Sequence, residues 1–352
     1  MDKKISVAVI GCGTIANNAH IPAYMANDKV KIKYFCDIRE DRAAAAAEKY
    51  GGTAVTDYRQ ILSDPEVSAV SVCTYNNTHA QISIDFLMAG KNVLCEKPAA
   101  KDLTDVLRMQ QAQKDSGKIL NIGVVNRFNG AVNKIKSLMD EGVLGDVYHV
   151  YISFRAHRSI PGLGTEFTDK AIAGGGALID WGVHFIDLVM YCCNDPKPVT
   201  VTGNTFCRLG KDMKSYVYNS MWAGPPNYAG KYDVDDSVTA LIRTEGPVIT
   251  LNGAWAQNIG HQEMFVDFIG EKAGIRLQYG GDFEIFGVRD GELYSEKPEY
   301  EDGDHYSKEI NAFIENIENG GKLPSNIDYV IPSAKILQAI YDSSDKNREI
   351  IV

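Results

Sequence analysis

A lysine, an aspartate and a histidine stand out in this sequence for the chemistry that their surroundings permit. Lys97 lies in "VLCEKPAAKD" (93–102), where a strand-like apolar run breaks into Glu96, Lys97 and Pro98. An ammonium there can stabilise an alkoxide forming from a substrate hydroxyl and ease deprotonation of that hydroxyl. Pro98 fixes its own φ and restricts the backbone of Lys97, which helps to hold the side chain in one direction. A lysine at a strand end is otherwise a solvated surface charge, so position alone decides little. The second cluster is "GGGALIDWGVHFIDLV" (174–189). If it is helical from Ala177, Asp180 and His184 are i and i+4 on one face, with Asp187 a turn further on. The carboxylate can orient the imidazole and raise its basicity, and the imidazole can exchange a hydroxyl proton near neutral pH. Asp180 could equally bind a substrate hydroxyl. The three glycines ahead of the helix allow a close approach of backbone to a ligand. In the competing reading His184 is a satisfied core residue and Asp187 is structural.

A cofactor would have to meet these groups. "VAVIGCGTIA" supplies Gly11, Gly13 and Ala16 between a strand and a helix. Gly11 allows the tight turn, Gly13 lets backbone approach a pyrophosphate, and Ala16 permits close helix packing; Thr14 and Ile15 open a helix whose N–H groups face the phosphates. Asp37 ends the second strand, where its carboxylate can accept from an adenosine ribose and repel a 2′-phosphate, so NAD is favoured. Arg39 could soften that repulsion, which keeps NADP open. "TYNNTH" (74–79) follows the fourth strand on the same sheet edge. Thr74 and Asn76 could touch ribose or phosphates and His79 could pack on the cofactor; alternatively Asn76 or Asn77 caps the next helix. Glu96 and Lys97, closing the fifth strand, belong to the same cofactor edge.

Those positions require a particular scaffold. From 5 to 125, apolar runs ("ISVAVIG", "KIKYFCD", "GTAVT", "AVSVCTY", "NVLCEKP", "ILNIGVV") alternate with helical stretches, which means a parallel sheet covered on both faces. Beyond 126, "DVYHVYISFRAH", "KPVTVTGNTFCRL", "DSVTALIRT", "PVITLNGAWAQ", "MFVDFIGEKAGIRLQY" and "DFEIFGV" alternate with a period of two, as antiparallel strands do. Helices are predicted at 130–141, 177–191, 306–319 and 331–343. The fold class is therefore α/β: a Rossmann dinucleotide-binding domain (1–125), then an α+β domain (126–352) with a large, mostly antiparallel open sheet. The chain's 352 residues and 45% hydrophobic content suffice for two cores.

A net charge of −10 without a dense Lys/Arg run argues against a nucleic-acid partner. "MDKKISVAVIG" reads as a first strand, not a signal peptide, and no apolar run approaches the roughly 20 residues of a membrane span. Seven cysteines without a C-x-x-C pair suit burial as free thiols in a reducing cytoplasm. His149, His157, His184 and His261 show no zinc-like spacing, so no metal site is expected.

"GCGTIA", His20, "CEKP" and "GGGALIDWGVHFIDL" together resemble the Gfo/Idh/MocA oxidoreductases, the group that includes glucose-fructose oxidoreductase and inositol dehydrogenase. "YDVDDSVTALIRTEG", "FIGEKAGIRL" and "EINAFIENI" extend the likeness over the second domain. The resemblance implies that Lys97, Asp180 and His184 form a catalytic set in one pocket beside the nicotinamide, and that subunits meet through the open sheet as homodimers or homotetramers. It places Arg127, in "VNRFNG", near the active site. From their chemistry, Arg155, His157 and Arg158, in the 155–171 stretch, would suit a polyhydroxylated or anionic ligand, or else lie in a solvated loop. Tyr232, Asp233 and Trp255 could line a sugar face or pack in the core.

The expected activity is an NAD(H)-dependent dehydrogenase acting on a secondary alcohol of a sugar, sugar derivative or cyclitol. Two rivals stand beside it: a glycoside hydrolase or lyase that oxidises its substrate transiently, and a non-catalytic nucleotide-sensing regulator.

Overall fold

The apolar runs of the N-terminal half become the strands of a parallel sheet in a computed structural model that describes residues 4–352. Residues 1–3, the start of the stretch read as a first strand, lie outside the described residues. In chain order this half contains β1 (Ile5–Ile10), a π-helical turn (Ala16–His20) leading into α1 (Ile21–Ala26), β2 (Val30–Cys36), α2 (Glu40–Tyr50), β3 (Thr53–Val55) and α3 (Arg59–Leu62). β4 (Val67–Val72), α4 (Asn76–Met88), β5 (Asn92–Glu96), α5 (Leu103–Ser116) and β6 (Leu120–Gly123) follow. The strand order is β3-β2-β1-β4-β5-β6, all parallel. The order reverses between β1 and β4, and the crevice beyond their C-terminal ends is where such sheets bind ligands.

The C-terminal half contains α6 (Gly130–Asp140), β7 (Val147–Arg155), α7 (Lys170–Ala173), a second π-helical turn (Leu178–Gly182) and α8 (Val183–Cys192). Seven further strands follow: β8 (Pro198–Phe206), β9 (Ser237–Thr244), β10 (Val248–Ala254), β11 (Glu263–Gly270), β12 (Ala273–Gln278), β13 (Phe283–Arg289) and β14 (Glu292–Glu296). Then come α9 (His305–Asn319), α10 (Ile327–Lys346) and β15 (Ile350–Ile351). The nine-stranded sheet runs β14-β13-β12-β11-β7-β10-β9-β8-β15. β10 and β7 pair in parallel, while their neighbours pair antiparallel. Alternation along β7, β9 and β10 buries Val150, Ile152, Phe154, Val238, Ile242, Ile249 and Leu251 in a core shared with α8 and α10.

The expected division at 125/126 needs one correction. The first unit runs to Phe128 and takes in Gly303–Ile331; the second comprises Asn129–Asp302 and Pro332–Val352. The reason is the apolar stripe of α9: Ile310, Phe313 and Ile314 are fully buried with Val7, Val9, Ala16, Ile21 and Phe35. α10 begins at Ile327, not 331, because the Asn326 side chain accepts from the Asp328 N–H at 3.2 Å and starts the helix ahead of Pro332. The stretch Lys170–Cys192, long and apolar enough by composition to cross a membrane, is mostly buried inside the protein, as a core helix is.

Candidate active site

In the first unit the glycine loop is built as its sequence demands. Gly11 has φ +91°, and a Cβ there would lie 2.4 Å from the carbonyl oxygen of Cys73. Only glycine fits. At Gly13 a Cβ would meet nothing closer than Arg42 Nη1 at 3.9 Å, so that face is open for a ligand. The helix that follows begins at Thr14 and Ile15 and widens into the π-helical turn before Pro22. Pro22 lacks an N–H and crowds the carbonyl four residues back, which a π turn relieves. Asp37 is buried; its Oδ2 accepts from the Cys12 N–H at 2.8 Å and its Oδ1 from the Arg39 N–H at 2.9 Å. Cys12 is thus part of the loop's anchorage, which the glycine pattern alone does not reveal. Burial and the Asp37 charge push the Cys12 thiol up to about 12, so it is not a thiolate. Arg39 is exposed and pairs with Asp41 at 2.7 Å. The open face at Gly13, the helix N-terminus and the acidic strand end fit the diphosphate and ribose of a dinucleotide.

On the neighbouring strand ends, the Thr74 hydroxyl accepts from Thr78 Oγ1 at 2.7 Å. α4 starts at Asn76 with Tyr75 as N-cap and no side-chain cap, so the capping alternative for Asn76 and Asn77 is not what the structure has. His79 was expected on the cofactor, but it is fully buried. Its Nδ1 lies 2.8 Å from the Pro98 carbonyl and its Nε2 3.0 Å from that of Thr74, clamping the ends of β4 and β5 together. Burial holds this imidazole below its usual range, and a neutral ring donates to one of the two carbonyls at a time.

Lys97 follows directly on β5, half-buried, with its own N–H donating to Glu96 Oε2 at 3.1 Å. Glu96 Oε1 meets His20 Nε2 at 2.8 Å, His20 Nδ1 lies 3.1 Å from Ser71 Oγ, and Ser71 Oγ lies 2.7 Å from the Tyr24 hydroxyl. This buried chain supports the backbone that carries Lys97. Burial pushes the Glu96 carboxyl up, but the His20 hydrogen bond and the charges of His20, Lys97 and His79 outweigh it and hold the carboxyl below its ordinary range. Arg127 departs from its expected role at a substrate: it is 2% exposed, and its two terminal nitrogens each donate at 3.0 Å, to the carbonyls of Pro324 and Tyr329.

In the second unit, Asp180 lies in the π-helical turn and His184 in the first turn of α8, both half-buried. Trp255, fully buried, donates its indole N–H to Asp180 Oδ2 at 3.3 Å, so it is a core residue that holds Asp180. His184 lies 6.5 Å, ring to ring, from Tyr279, on which Phe185 stacks at 4.3 Å. Asp187 is buried and accepts from Ser333 Oγ at 3.2 Å, which anchors the underside of the helix.

Two of the three glycines make close contacts within the protein itself. A Cβ at Gly176 would lie 1.9 Å from the Asp235 carbonyl oxygen, and one at Gly175 2.0 Å from the Tyr341 hydroxyl. Asp235 was missed in the sequence. It is buried and accepts from the N–H groups of Gly176 (2.7 Å) and Leu178 (2.9 Å) and from the Tyr341 hydroxyl (2.9 Å). Burial pushes its carboxyl above the usual range despite those bonds.

The remaining candidates have protein partners. Arg155 forms a close ion pair with Glu263, reinforced by its Nε at 3.2 Å. His157 is exposed, with Nδ1 3.1 Å from the Gln257 carbonyl, and Arg158 donates to Asn258 Oδ1 at 2.6 Å. Asp233 accepts from the Lys170 N–H at 2.7 Å, and Tyr232 packs beside the Trp255 cluster.

Within the second unit, an acid and an imidazole on one helix can exchange a hydroxyl proton; within the first, a dinucleotide loop and a lysine share the C-terminal edge of a parallel sheet, where an ammonium can stabilise an oxyanion. Comparison with known proteins gives the family. Residues 5–124 match the GFO/IDH/MocA oxidoreductase family with an NAD-binding Rossmann fold, and residues 132–276 match that family's C-terminal domain. The chain is 29% identical over 350 residues to the D-glucoside 3-dehydrogenase of Escherichia coli K12, covering 98% of this chain and 97% of that one. It is 26% identical over 325 residues to the myo-inositol 2-dehydrogenase of Thermotoga maritima, covering 89% and 88%. A levoglucosan dehydrogenase solved with NADH and levoglucosan superposes with a TM-score of 0.85 at 23% identity, covering 99% of this chain and all of that one. With both of its halves matched, the chain belongs to the GFO/IDH/MocA family of NAD-binding oxidoreductases.

Proposed function

We propose that this protein is an NAD(H)-dependent dehydrogenase of a secondary alcohol on a sugar, sugar derivative or cyclitol, with D-glucosides the first substrates to test, and with Lys97, Asp180 and His184 as its catalytic set. The observation that carries the reading is the Asp180–His184 helix, held by Trp255, in a chain that matches a D-glucoside 3-dehydrogenase end to end. NAD, when bound, supplies the acceptor for the hydride of the carbinol carbon. His184 takes the hydroxyl proton, Lys97 stabilises the oxygen as negative charge grows on it, and Asp180 orients the hydroxyl and the imidazole. Gly11, Gly13, Thr14, Ile15, Asp37 and Thr74 would hold the cofactor. The ion pair of Arg39 with Asp41 leaves Asp37 to set the preference for NAD.

Self-association through the nine-stranded sheet belongs to the same proposal, supported by exposed Tyr148, Phe286, Val288 and Leu293 on β7, β13 and β14. So does action in the cytoplasm, which seven free thiols suit.

The test is a panel of glucosides, anhydro sugars, polyols and inositols, assayed for nicotinamide reduction with NAD and NADP in parallel. Lys97→Ala and His184→Ala should each lose about 10²–10⁴-fold in kcat while NADH still binds. Glycoside cleavage without accumulation of NADH would replace net dehydrogenation by transient oxidation, and ordinary turnover by either variant would remove that residue from the mechanism.

A further inference from the structure

The helix carrying Asp180 and His184 starts without a capping side chain of its own. Its first N–H groups would be left without partners at a buried position, which a stable helix end cannot tolerate. The partner comes from 59 residues further along the chain, at the approach to β9. One carboxylate, that of Asp235, takes the N–H groups of Gly176 and Leu178 on separate oxygens, and the Asp235 carbonyl takes the N–H of Ala177 at 2.9 Å. Three consecutive N–H groups thus end on one residue. Glycine at 175 and 176 is the condition for this contact, since a Cβ at either position would strike Tyr341 or Asp235.

The next residue does the matching task on the other side. Asp236 Oδ2 accepts from the N–H groups of Arg208 (2.7 Å), Leu209 (2.6 Å) and Gly210 (3.0 Å), pinning the start of the irregular segment between β8 and β9. The Asp236 carbonyl accepts from the Trp255 N–H at 2.9 Å, and the Trp255 indole reaches Asp180. Ile160, Leu163, Ala177, Tyr216, Val234 and Ala256 enclose Trp255 in a small buried cluster.

We infer that Asp235 and Asp236 are a pair of positioning residues for the reacting side chains: Asp235 fixes the first turn of the helix that presents Asp180 and His184, and Asp236 fixes the Trp255 segment that hydrogen-bonds Asp180. The inference rests on the reading that Asp180 and His184 act on substrate. The pair touches neither substrate nor cofactor and acts through geometry alone. A displacement of about 1 Å at a reacting group can cost about 100-fold in rate, so loosening the pair lowers kcat far more than it weakens binding.

Asp235→Asn is the direct test, because one N–H acceptor becomes a donor facing another donor. The expected result is a kcat lowered about 10- to 100-fold, with NADH affinity by fluorescence titration and the KM of the best substrate from the panel nearly unchanged. Tyr341→Phe removes the hydroxyl that donates to Asp235, and Trp255→Phe removes the indole N–H together with part of a buried ring; kcat should fall about 3- to 10-fold in both, and Tyr341→Phe, the milder change, decides the matter if Asp235→Asn does not fold. Wild-type kcat in these variants, alongside inactive Asp180→Asn and His184→Ala, would overturn the inference and leave the proposed activity standing. Full activity in Asp180→Asn and His184→Ala would overturn both.

Discussion

Glu96 Oε1 lies 2.8 Å from Nε2 of His20, while Glu96 Oε2 accepts the backbone N–H of Lys97 at 3.1 Å. A buried carboxylate with one oxygen on an imidazole and the other on the next residue's N–H ties the π-helical turn after the glycine loop to the end of β5. His20→Ala removes one of these holds and leaves the ionised carboxylate short of a donor, at a cost of about 1.5–3 kcal/mol near neutral pH. The pH dependence follows from the sign of the shift. The folded carboxyl lies below its ordinary value of 4.5, so its ionisation stabilises the protein above pH 4.5 and that stability is lost as pH falls through the folded value. The stability gap between wild type and His20→Ala, from urea melts, should be full at about pH 7 and smaller at about pH 4. A gap that did not change with pH would mean that packing, not the pairing with Glu96, accounts for the loss.

Arg127 gives the opposite kind of variant, one that damages the fold and spares the kinetics. Its guanidinium is buried and donates to the carbonyls of Pro324 and Tyr329, 197 and 202 residues away, tying the 324–329 segment to the rest of the first unit. Arg127→Ala should lower stability by about 3 kcal/mol, the scale of two charge-assisted bonds, with the KM for substrate unchanged. A raised KM in a variant of wild-type stability would return Arg127 to the substrate site.

The parallel sheet was legible because strands buried on both faces read as unbroken apolar runs, and the glycine loop because Gly11 answers to a local backbone requirement. What the sequence concealed depends on partners distant along the chain. "VNRFNG" contains no sign that its arginine faces two carbonyls, and "YDVDDSV" reads as turn acids ahead of a strand until Gly176 and Leu178 are brought against Asp235. The triple glycine stands out in the sequence, but an approach to Tyr341 and Asp235 looks in one dimension the same as an approach to a ligand. Neither π-helical turn has a periodicity signal, since each shifts the register of its helix by a single residue. By its place in the chain α9 reads as part of the second domain, whereas its apolar stripe packs on β1 and α1.

Asp37 should govern cofactor choice. Its carboxylate anchors the N–H groups of Cys12 and Arg39, and the remaining lone pairs can receive ribose hydroxyls. Asp37→Ala is expected to lower kcat/KM with NAD about tenfold, close to 1.4 kcal/mol, and to narrow the preference over NADP because the repulsion of a 2′-phosphate is gone. Unaltered preference in that variant would place the discrimination elsewhere.

The two glycines of the loop separate folding from binding. At Gly11 an alanine would need φ near +91°, and its methyl would sit 2.4 Å from the Cys73 carbonyl oxygen, a backbone atom fixed by the pairing of β1 with β4. Strain of this kind costs on the order of 1–3 kcal/mol before the clash is counted, so Gly11→Ala should lower the melting temperature and abolish NADH binding together. At Gly13 the φ is unexceptional and the nearest atom to an added methyl is Arg42 Nη1 at 3.9 Å. Nothing among the described residues requires glycine there. Gly13→Ala should therefore melt like wild type yet bind NADH at least tenfold more weakly, roughly the 1.4 kcal/mol of a single lost close contact, as read by fluorescence titration. Equal NADH affinity in Gly13→Ala and wild type would mean that the dinucleotide does not pass over this glycine, and the assignment of the loop would fall with it.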